Sequence, residues 1–514
     1  MFQGVNIPLQ MSISCEAGPR RTEDIAPQPW PLRFAGEVAP ACYDRTISPE
    51  PENVSAMEAL HTGDPGASAL LTDLYQLTML QTYYERGMTD SAVFELFFRR
   101  LPPKQRNFFL AAGLQQAVEY LEGLHFGGDE LEWLARQKRF TTKFIDQLAR
   151  LRFTGDVDAV PEGTVLFPNE PIVRIVAPLP EAQLVETRLM NLFHFQTMIA
   201  SKAARAVIQA PGKLLVDFGL RRAHGAEAGL LAARAVYLAG MAGTATVLAG
   251  QLYGVPLFGT MAHSFIQAHD SEMEAFESYA RSHPDSITLL IDTYDTEAAA
   301  KKVVQLAPKL ERDGIKIRAV RIDSGDLAEH ARAVRRIFDD SRLNDVKIFA
   351  SGGIDEFALR ELLAAQRAPI DGFGIGSGMD ASYDVPTFDC AYKLQEYAGR
   401  ARRKRSEGKA TWPGRKQVYR SYGDNGRMSG DLLTLEGDAQ PSEPLLAPVM
   451  RGGRRLPGLE TLERARDRAR GQLALLPEAL RSLEPAPAYP VTVSNTLTAL
   501  AAEVDREQAT AALG

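Results

Sequence analysis

Cysteine is scarce in this chain: only Cys15, Cys42 and Cys390 occur in 514 residues. Three thiols cannot build a disulfide framework or a thiolate zinc site, and a reducing, cytoplasmic compartment is expected. Long apolar runs are missing too. The most apolar stretch, around Leu230 to Leu252, is broken by Gly, Arg and Gln, so no membrane span is expected. Residues 1–14 lack the basic start and apolar block of a signal peptide. Charge of one sign is not in large excess. A net charge of -7 gives no electrostatic case for nucleic acid or membrane partners. Neither a Walker sequence nor a Gly-x-Gly-x-x-Gly opening a helix after the first strand is found, which excludes a P-loop or a Rossmann cofactor site.

What is present is the composition of a globular protein. Apolar residues make up 45% and charged residues 24%, and the length calls for more than one packed core. Residues 1–66 stand apart: rich in Pro, Gly, Ser and acidic residues, without an apolar period, they read as a disordered extension. A helical pattern then runs from Ser68 to Leu80, with Thr72 and Asp73 as candidate caps. Ser91 to Phe98 reads as a strand, Gly113 to Leu124 and Gly128 to Arg136 as helices, and Gly163 to Pro178 as a hairpin turning at Pro168-Asn169.

From residue 214 the rhythm changes. Leu214 to Phe218, Val255 to Gly259, Thr288 to Ile291, Ile317 to Ile322, Val346 to Ala350 and Gly372 to Ile375 are short apolar runs. Helical patterns begin between them near Glu227, Thr296, Leu327 and Asp355, and another runs from Gly259 as far as about Arg281. Such alternation predicts βα units on a parallel sheet, either a barrel or a doubly wound sheet, with right-handed connections. Beyond Pro386 the chain turns basic and irregular. The run Arg400-Ala-Arg-Arg-Lys-Arg is short and has no interleaved aromatic platform, so it reads as a solvated surface rather than a nucleic-acid site. A helix over Leu459 to Leu476 and a strand over Tyr489 to Val493 come after it.

The chemistry lies in the turn after each strand. Parallel βα folds bind ligands at the carboxyl ends of their strands. Here those ends carry Asp217, Phe218, Gly219, Arg221, Arg222 and His224; then Gly259, Thr260, His263 and Ser264; then Asp292 to Asp295. Next come Arg321, Asp323, Ser324, Gly325 and Asp326; then Ser351, Gly352 and Gly353; then Gly374, Gly376 and Ser377. Any one of these suits a polar loop or a helix cap, but capping alone does not account for all six on one face. The glycine-rich turns let backbone N–H groups approach an anion. Arg221, Arg222 and Arg321 suit phosphate or carboxylate. Asp292 and Asp323 suit ribose hydroxyls or a magnesium ion shared with substrate phosphates.

Six segments carry a family resemblance: Thr72-Asp-Leu-Tyr-Gln-Leu-Thr-Met, Asp217-Phe-Gly-Leu-Arg-Arg-Ala-His-Gly, Gly259-Thr-Met-Ala-His-Ser-Phe, Leu290-Ile-Asp-Thr-Tyr-Asp-Thr, Arg321-Ile-Asp-Ser-Gly-Asp-Leu and Pro413-Gly-Arg-Lys-Gln-Val-Tyr-Arg. In this order, from about residue 70 to about 500, the chain resembles the nicotinate phosphoribosyltransferases. The resemblance implies an irregular (β/α) barrel of the type II phosphoribosyltransferases over 181–384. It implies a flanking α/β sandwich domain built from an N-terminal segment, 67–180, and a C-terminal segment, 385–514. It also implies a homodimer with shared active sites. The implied reaction joins nicotinate to phosphoribosyl pyrophosphate (PRPP), coupled to ATP, as the first step of NAD salvage from nicotinate.

Site residues carry over by position. Tyr75 matches a tyrosine that stacks on the pyridine ring from the partner subunit, and His263 matches the histidine that ATP phosphorylates. Arg321 and Arg222 match arginines near the phosphates and the carboxylate, in an order left open. Gly352, Gly353, Gly376 and Ser377 match the 5′-phosphate cradle. The chain departs from the family in two places. The cradle continues as Ser377-Gly-Met-Asp where Gly-x-Gly-Thr and apolar residues are usual, and Ser351-Gly-Gly-Ile-Asp stands where some relatives carry Asn. The nicotinamide-using branch is disfavoured, because Leu220-Arg221-Arg222 replaces its Tyr-Arg-Gly. A quinolinate enzyme would be shorter and lacks the phosphorylated histidine. A non-catalytic sensor on the same fold would leave the full set of motif residues without a use.

Overall fold

The structure is a computed structural model and describes residues 65–511 apart from 104 and 459. The expected extension over 1–66, save its last two residues, lies outside the described residues.

Two sheets dominate. The first has seven strands, in the order Arg400–Ala401, Cys390–Tyr397, Ser91–Phe98, Val173–Pro178, Asp156–Ala159, Ala447–Arg451 and Arg454–Arg455. Every neighbouring pair is antiparallel. Strands from early and late in the chain therefore interleave in one sheet. Ser91–Phe98, expected as a strand, lies within it and is buried from Ala92 to Phe98, which explains a run that is apolar and aromatic except for Glu95, whose buried carboxylate is paired with Lys416 at 2.7 Å. Phe94 stacks on Tyr392 across the pair, with ring centroids 4.9 Å apart.

The second sheet is the parallel one. Its order is Gly243–Thr244, Leu214–Asp217, Gly372–Ile375, Lys347–Ser351, Ala319–Ile322 and Thr288–Leu290. All its pairings are parallel, and helices Ala226–Ala239, Thr296–Arg312 and Leu327–Asp340 connect its strands. A buried core of small and branched side chains fills the space between helices and sheet, including Val320, Ile322, Ile348, Phe373, Ala232 and Val236. The two outer strands are joined by the segment 257–263. Leu257 forms a parallel bridge to Thr244 at one edge, and His263 hydrogen-bonds Thr293 just beyond the other. The sheet is thus rounded into an irregular barrel. A four-stranded sheet from the C-terminal region, Glu443–Pro444, Lys416–Tyr422, Met428–Leu435 and Val491–Val493, completes the main architecture. No helix among the described residues is long and apolar enough to cross a membrane.

Three sequence expectations need correction. Gly163 to Pro178 is not a hairpin. Asn169 does make the turn, with φ +68°, but Val165–Leu166 pairs with Phe109–Leu110 while Val173–Pro178 pairs with Ser91–Phe98 and Asp156–Ala159. Both arms are almost wholly buried, so long-range partners rather than the local turn decide the pairing. Val255 to Gly259 is not a strand either. Pro256 has no N–H to donate, so the segment makes only the bridge at Leu257, and the strand in that place is Gly243–Thr244. Gly243 is required there, because a Cβ would lie 2.2 Å from the carbonyl oxygen of Pro256. Finally, the first long helix is Leu74–Glu85, later than expected. Asp73 stands at its N-cap without a capping hydrogen bond; its carboxylate accepts from the Thr187 hydroxyl at 2.8 Å instead.

Candidate active site

Each strand of the parallel sheet ends in a short polar turn, and these turns meet on one face. The centre is Arg321, the third residue of strand Ala319–Ile322. Its Nε donates to Ser351 Oγ at 2.9 Å and its Nη1 donates to Thr260 Oγ1 at 2.6 Å. Its Nη2 lies 3.3 Å from Asp323 Oδ1. Ser351 Oγ also donates to Asp323 Oδ1. Two strand ends, those of Ala319–Ile322 and Lys347–Ser351, and the 257–263 segment are thereby tied to one guanidinium, whose fixed fork suits convergent acceptors. The same guanidinium lies 5.7 Å from the centre of the Phe218 ring.

Asp323 is shared. Its second oxygen, Oδ2, lies 3.8 Å from His263 Nε2, and the opposite ring nitrogen, Nδ1, is hydrogen-bonded to Thr293 Oγ1 at 3.1 Å. His263 opens the short helix His263–Gln267 and is partly exposed, so the ring is oriented on both edges while open to solvent. Ser264 is exposed beside it. Asp292 supports the same turn. Its Oδ2 accepts from the Asp323 N–H at 2.8 Å and the Ser324 hydroxyl at 2.6 Å, while its Oδ1 is buried with no hydrogen-bond partner among the described residues.

The glycine turns are built for close approach. Gly352 has φ +90°, and a Cβ there would sit 2.2 Å from the Asp323 carbonyl oxygen. Gly353 has φ +64° with open space beside it, and Gly325 adopts φ +76° against His330. Gly374 lies under the Phe218 ring, where a Cβ would come within 2.4 Å, and Gly376 approaches the Phe218 carbonyl. Ser377–Asp380 is a helix of four residues, too short for much dipole. Any anion held there would depend on individual N–H groups and the Ser377 hydroxyl.

The expected residues Phe218, Thr260, His263, Asp292, Arg321, Asp323, Ser324, Ser351 and the glycines are thus brought together. Arg221 and Arg222 lie in the 3₁₀ turn Leu220–Arg222, both exposed and without an ion pair among the described residues. Tyr75 is not brought to this cluster. It is 47% exposed and lines a separate cavity of about 450 Å³ with Arg99, Glu186, Lys393, Lys404 and Lys409. Sequence reasoning did not assign Thr293, which fixes the His263 ring. It lies one residue past Asp292 in the same strand-end turn, and that position was the available signal. Asp380, buried beneath Gly219, was likewise unassigned. No group of three or more His, Cys, Asp or Glu able to hold a metal occurs among the described residues.

A parallel βα barrel with arginine, paired aspartates and glycine turns at its strand ends, beside a sandwich made from both ends of the chain, defines the type II phosphoribosyltransferase class. Comparison with known proteins narrows this. The nicotinate phosphoribosyltransferase N-terminal domain matches residues 70–194, the nicotinate phosphoribosyltransferase family model residues 214–409 and the family's C-terminal domain residues 438–501. The nicotinate phosphoribosyltransferase pncB2 of Mycobacterium tuberculosis is 51% identical over 431 residues, 84% of this chain and 92% of its own. The nicotinate phosphoribosyltransferase of Bacillus subtilis is 39% identical over 375 residues, 71% and 76% of the two chains. Human nicotinic acid phosphoribosyltransferase superposes with a TM-score of 0.75 at 30% identity, over 84% of this chain and 99% of that one. The nicotinate-nucleotide pyrophosphorylase of Pyrococcus furiosus, at 24% identity and a TM-score of 0.63, shares the fold. The chain belongs to the nicotinate phosphoribosyltransferase family and is an enzyme of that activity.

Proposed function

We propose that the cluster around Arg321 is where nicotinate is joined to PRPP, in the first step of NAD salvage from nicotinate. The observation that carries this is the convergence of Arg321 and Asp323 from one strand end, Ser351 from the next and His263 from the segment that closes the barrel. The lone pair of the pyridine nitrogen forms the bond to the anomeric carbon of the ribose as the bond to pyrophosphate oxygen breaks. That electron pair leaves with pyrophosphate. The ring nitrogen is already a nucleophile, so positioning and charge compensation supply the rate.

In this reading Gly352, Gly353, Gly374, Gly376 and Ser377 cradle the 5′-phosphate, and Asp292, Ser324 and Gly325 meet the ribose side. Phe218 forms one wall for the pyridine ring. Arg321, backed by Thr260 and Ser351, faces the negative groups of the substrates together with Arg221 and Arg222. Two cationic side chains besides Arg321 suit a substrate pair that carries both phosphates and a carboxylate. Tyr75 serves a second copy of the chain, because within one copy it lies in a different cavity, and the two copies form a homodimer with shared sites. The basic side chains around Tyr75 suit the phosphates that such a shared site would hold.

ATP is a co-substrate of the family's reaction, and His263 is the residue it phosphorylates here, with Thr293 and Asp323 setting the ring. A phosphoryl group beside Asp323 changes affinity for PRPP only in so far as it binds one state better than another. Magnesium fits the donor set. Asp292 keeps an orphaned carboxylate oxygen, Asp323 faces the cluster, and one or two carboxylates with substrate phosphates suffice for this ion. It would offset charge on the departing pyrophosphate. The chain is read as organised into 67–180, 181–384 and 385–514 and as acting in the cytoplasm.

Pyrophosphate release from PRPP with nicotinate or nicotinamide tests the substrate. Turnover with nicotinate alone is expected. Turnover with nicotinamide alone would move the protein to the sister activity, and none with either would leave a binding protein.

A further inference from the structure

Two buried carboxyl groups meet at Gly219, behind the proposed phosphate cradle. Asp217 ends strand Leu214–Asp217 and is fully buried; Asp380 ends helix Ser377–Asp380 and is 1% exposed. The Asp217 oxygens are both engaged: Oδ1 accepts from the Gly219 N–H at 2.7 Å and Oδ2 from the Thr244 hydroxyl at 2.6 Å. Both Asp380 oxygens lack a donor among the described residues. The Asp380 carboxyl is pressed onto Gly219, where a Cβ would fall 2.1 Å from its Cγ.

Among the described residues no cation neutralises the pair. Helix Ser377–Asp380 packs against helices Glu186–Gln209 and Ala226–Ala239 and the turn Leu220–Arg222. The charged groups on those elements are committed elsewhere or exposed. Lys202 and Arg205 bind Glu356, and Lys202 also binds Asp384. Arg234 binds Glu162, Arg188 binds Glu227, and Glu186 meets Lys393. Arg221 and Arg222 are exposed. Two acceptors in contact can bond only when one carries a proton, and two uncompensated buried charges would repel.

We propose that Asp380 is a positioning residue that holds a proton shared with Asp217, and that this hydrogen bond ties the turn bearing Arg221 and Arg222 to the turn that cradles the 5′-phosphate. The consequence rests on the reading of Gly376 and Ser377 as that cradle. Asp380 holds the proton because its partner is already bound by two donors in its ionised form. Burial, and after it the charge of Asp217, holds the Asp380 carboxyl well above the usual range, and burial also raises Asp217. Asn at 380 reproduces the protonated acid in shape and donor capacity, whereas Ala removes the tie.

In the unfolded chain Asp380 ionises near pH ~4. In the fold it stays protonated to a higher pH. Stability from the pair is therefore complete below pH ~4 and falls as pH rises through the folded value.

The test compares the full chain with Asp380→Asn and Asp380→Ala, by melting temperature and by KM for PRPP and for nicotinate, across the pH range in which the wild type stays folded. The melting temperature of the wild type should fall relative to Asp380→Asn as pH rises. Its KM for PRPP should rise about tenfold as pH passes through the folded value, while that of Asp380→Asn stays flat. Asp380→Ala should show a KM for PRPP raised about tenfold at all pH values. If Asp380→Ala does not fold, the two Asn comparisons decide. A melting difference independent of pH, or a KM limb that persists in Asp380→Asn, overturns the shared proton. A melting difference that varies with pH while KM for PRPP does not respond overturns the cradle reading instead.

Discussion

Asp323 stands beside His263 with its Oδ2 3.8 Å from the imidazole Nε2, while its other oxygen faces Arg321 and Ser351. One carboxylate thereby couples the residue assigned to ATP with the arginine that faces the negative groups of the substrates. Asp323→Asn keeps the volume but removes the charge that both partners face. kcat/KM for PRPP should fall by about 10–100-fold, corresponding to a charge-assisted interaction of about 1.5–3 kcal/mol, with the melting temperature little changed. A steady-state assay beside a thermal melt checks both.

Thr293→Val should weaken ATP stimulation selectively. The Thr293 hydroxyl holds His263 Nδ1 at 3.1 Å, and losing such a bond costs about 0.5–1.5 kcal/mol. A drop in stimulation of up to about tenfold is expected, with Thr293→Ser restoring it. Equal losses with and without ATP would show that the hydroxyl serves something other than the histidine.

The two glycines of the Ser351 turn should differ. Gly352→Ala combines φ +90° with a Cβ 2.2 Å from the Asp323 carbonyl oxygen, whereas Gly353→Ala has φ +64° and open space. A left-handed alanine costs about 1–2 kcal/mol, and at Gly352 displacement of the Asp323 backbone is added. KM for PRPP should rise by more than about tenfold for Gly352→Ala and by less for Gly353→Ala. Parallel kinetics of the two variants decide it.

Stability rests in part on a buried pair in the four-stranded sheet, where Arg420 and Asp431 lie opposite each other. Arg420 donates to both oxygens of Asp431, with its shortest bond 2.6 Å, and to Gln472. Glu170 lies 4.0 Å away. Arg420→Met would leave the buried Asp431 carboxylate without its cation, and about 3–5 kcal/mol of destabilisation is expected. Loss of thermal stability with active-site kinetics preserved at low temperature is the expected pattern.

The strand-end chemistry was legible because of a simple coupling. An apolar β run leading into a polar turn puts that turn at the carboxyl end of a parallel strand, so Asp292, Asp323, Ser351 and Gly376 announced a common face. The exceptions have equally physical causes. Val255 to Gly259 has a strand's composition, but Pro256 denies it a ladder, and the strand that takes its place is a Gly-Thr pair with no apolar signal. Val165 and Val173 looked like one hairpin because each arm's true partner lies far away in sequence. Asp380 carried no signal of its own in the sequence; only the fold places it against Gly219. Tyr75 carried a family match but no local sign of where it would act.

The most direct measurement is the rate of pyrophosphate release from PRPP and nicotinate, with and without ATP, for the wild type and His263→Ala. Nicotinate turnover stimulated by ATP in the wild type, and a basal rate that ATP no longer raises in the variant, is the predicted result. ATP stimulation that survives in His263→Ala would contradict the assignment of His263 and, with it, the coupling through Asp323.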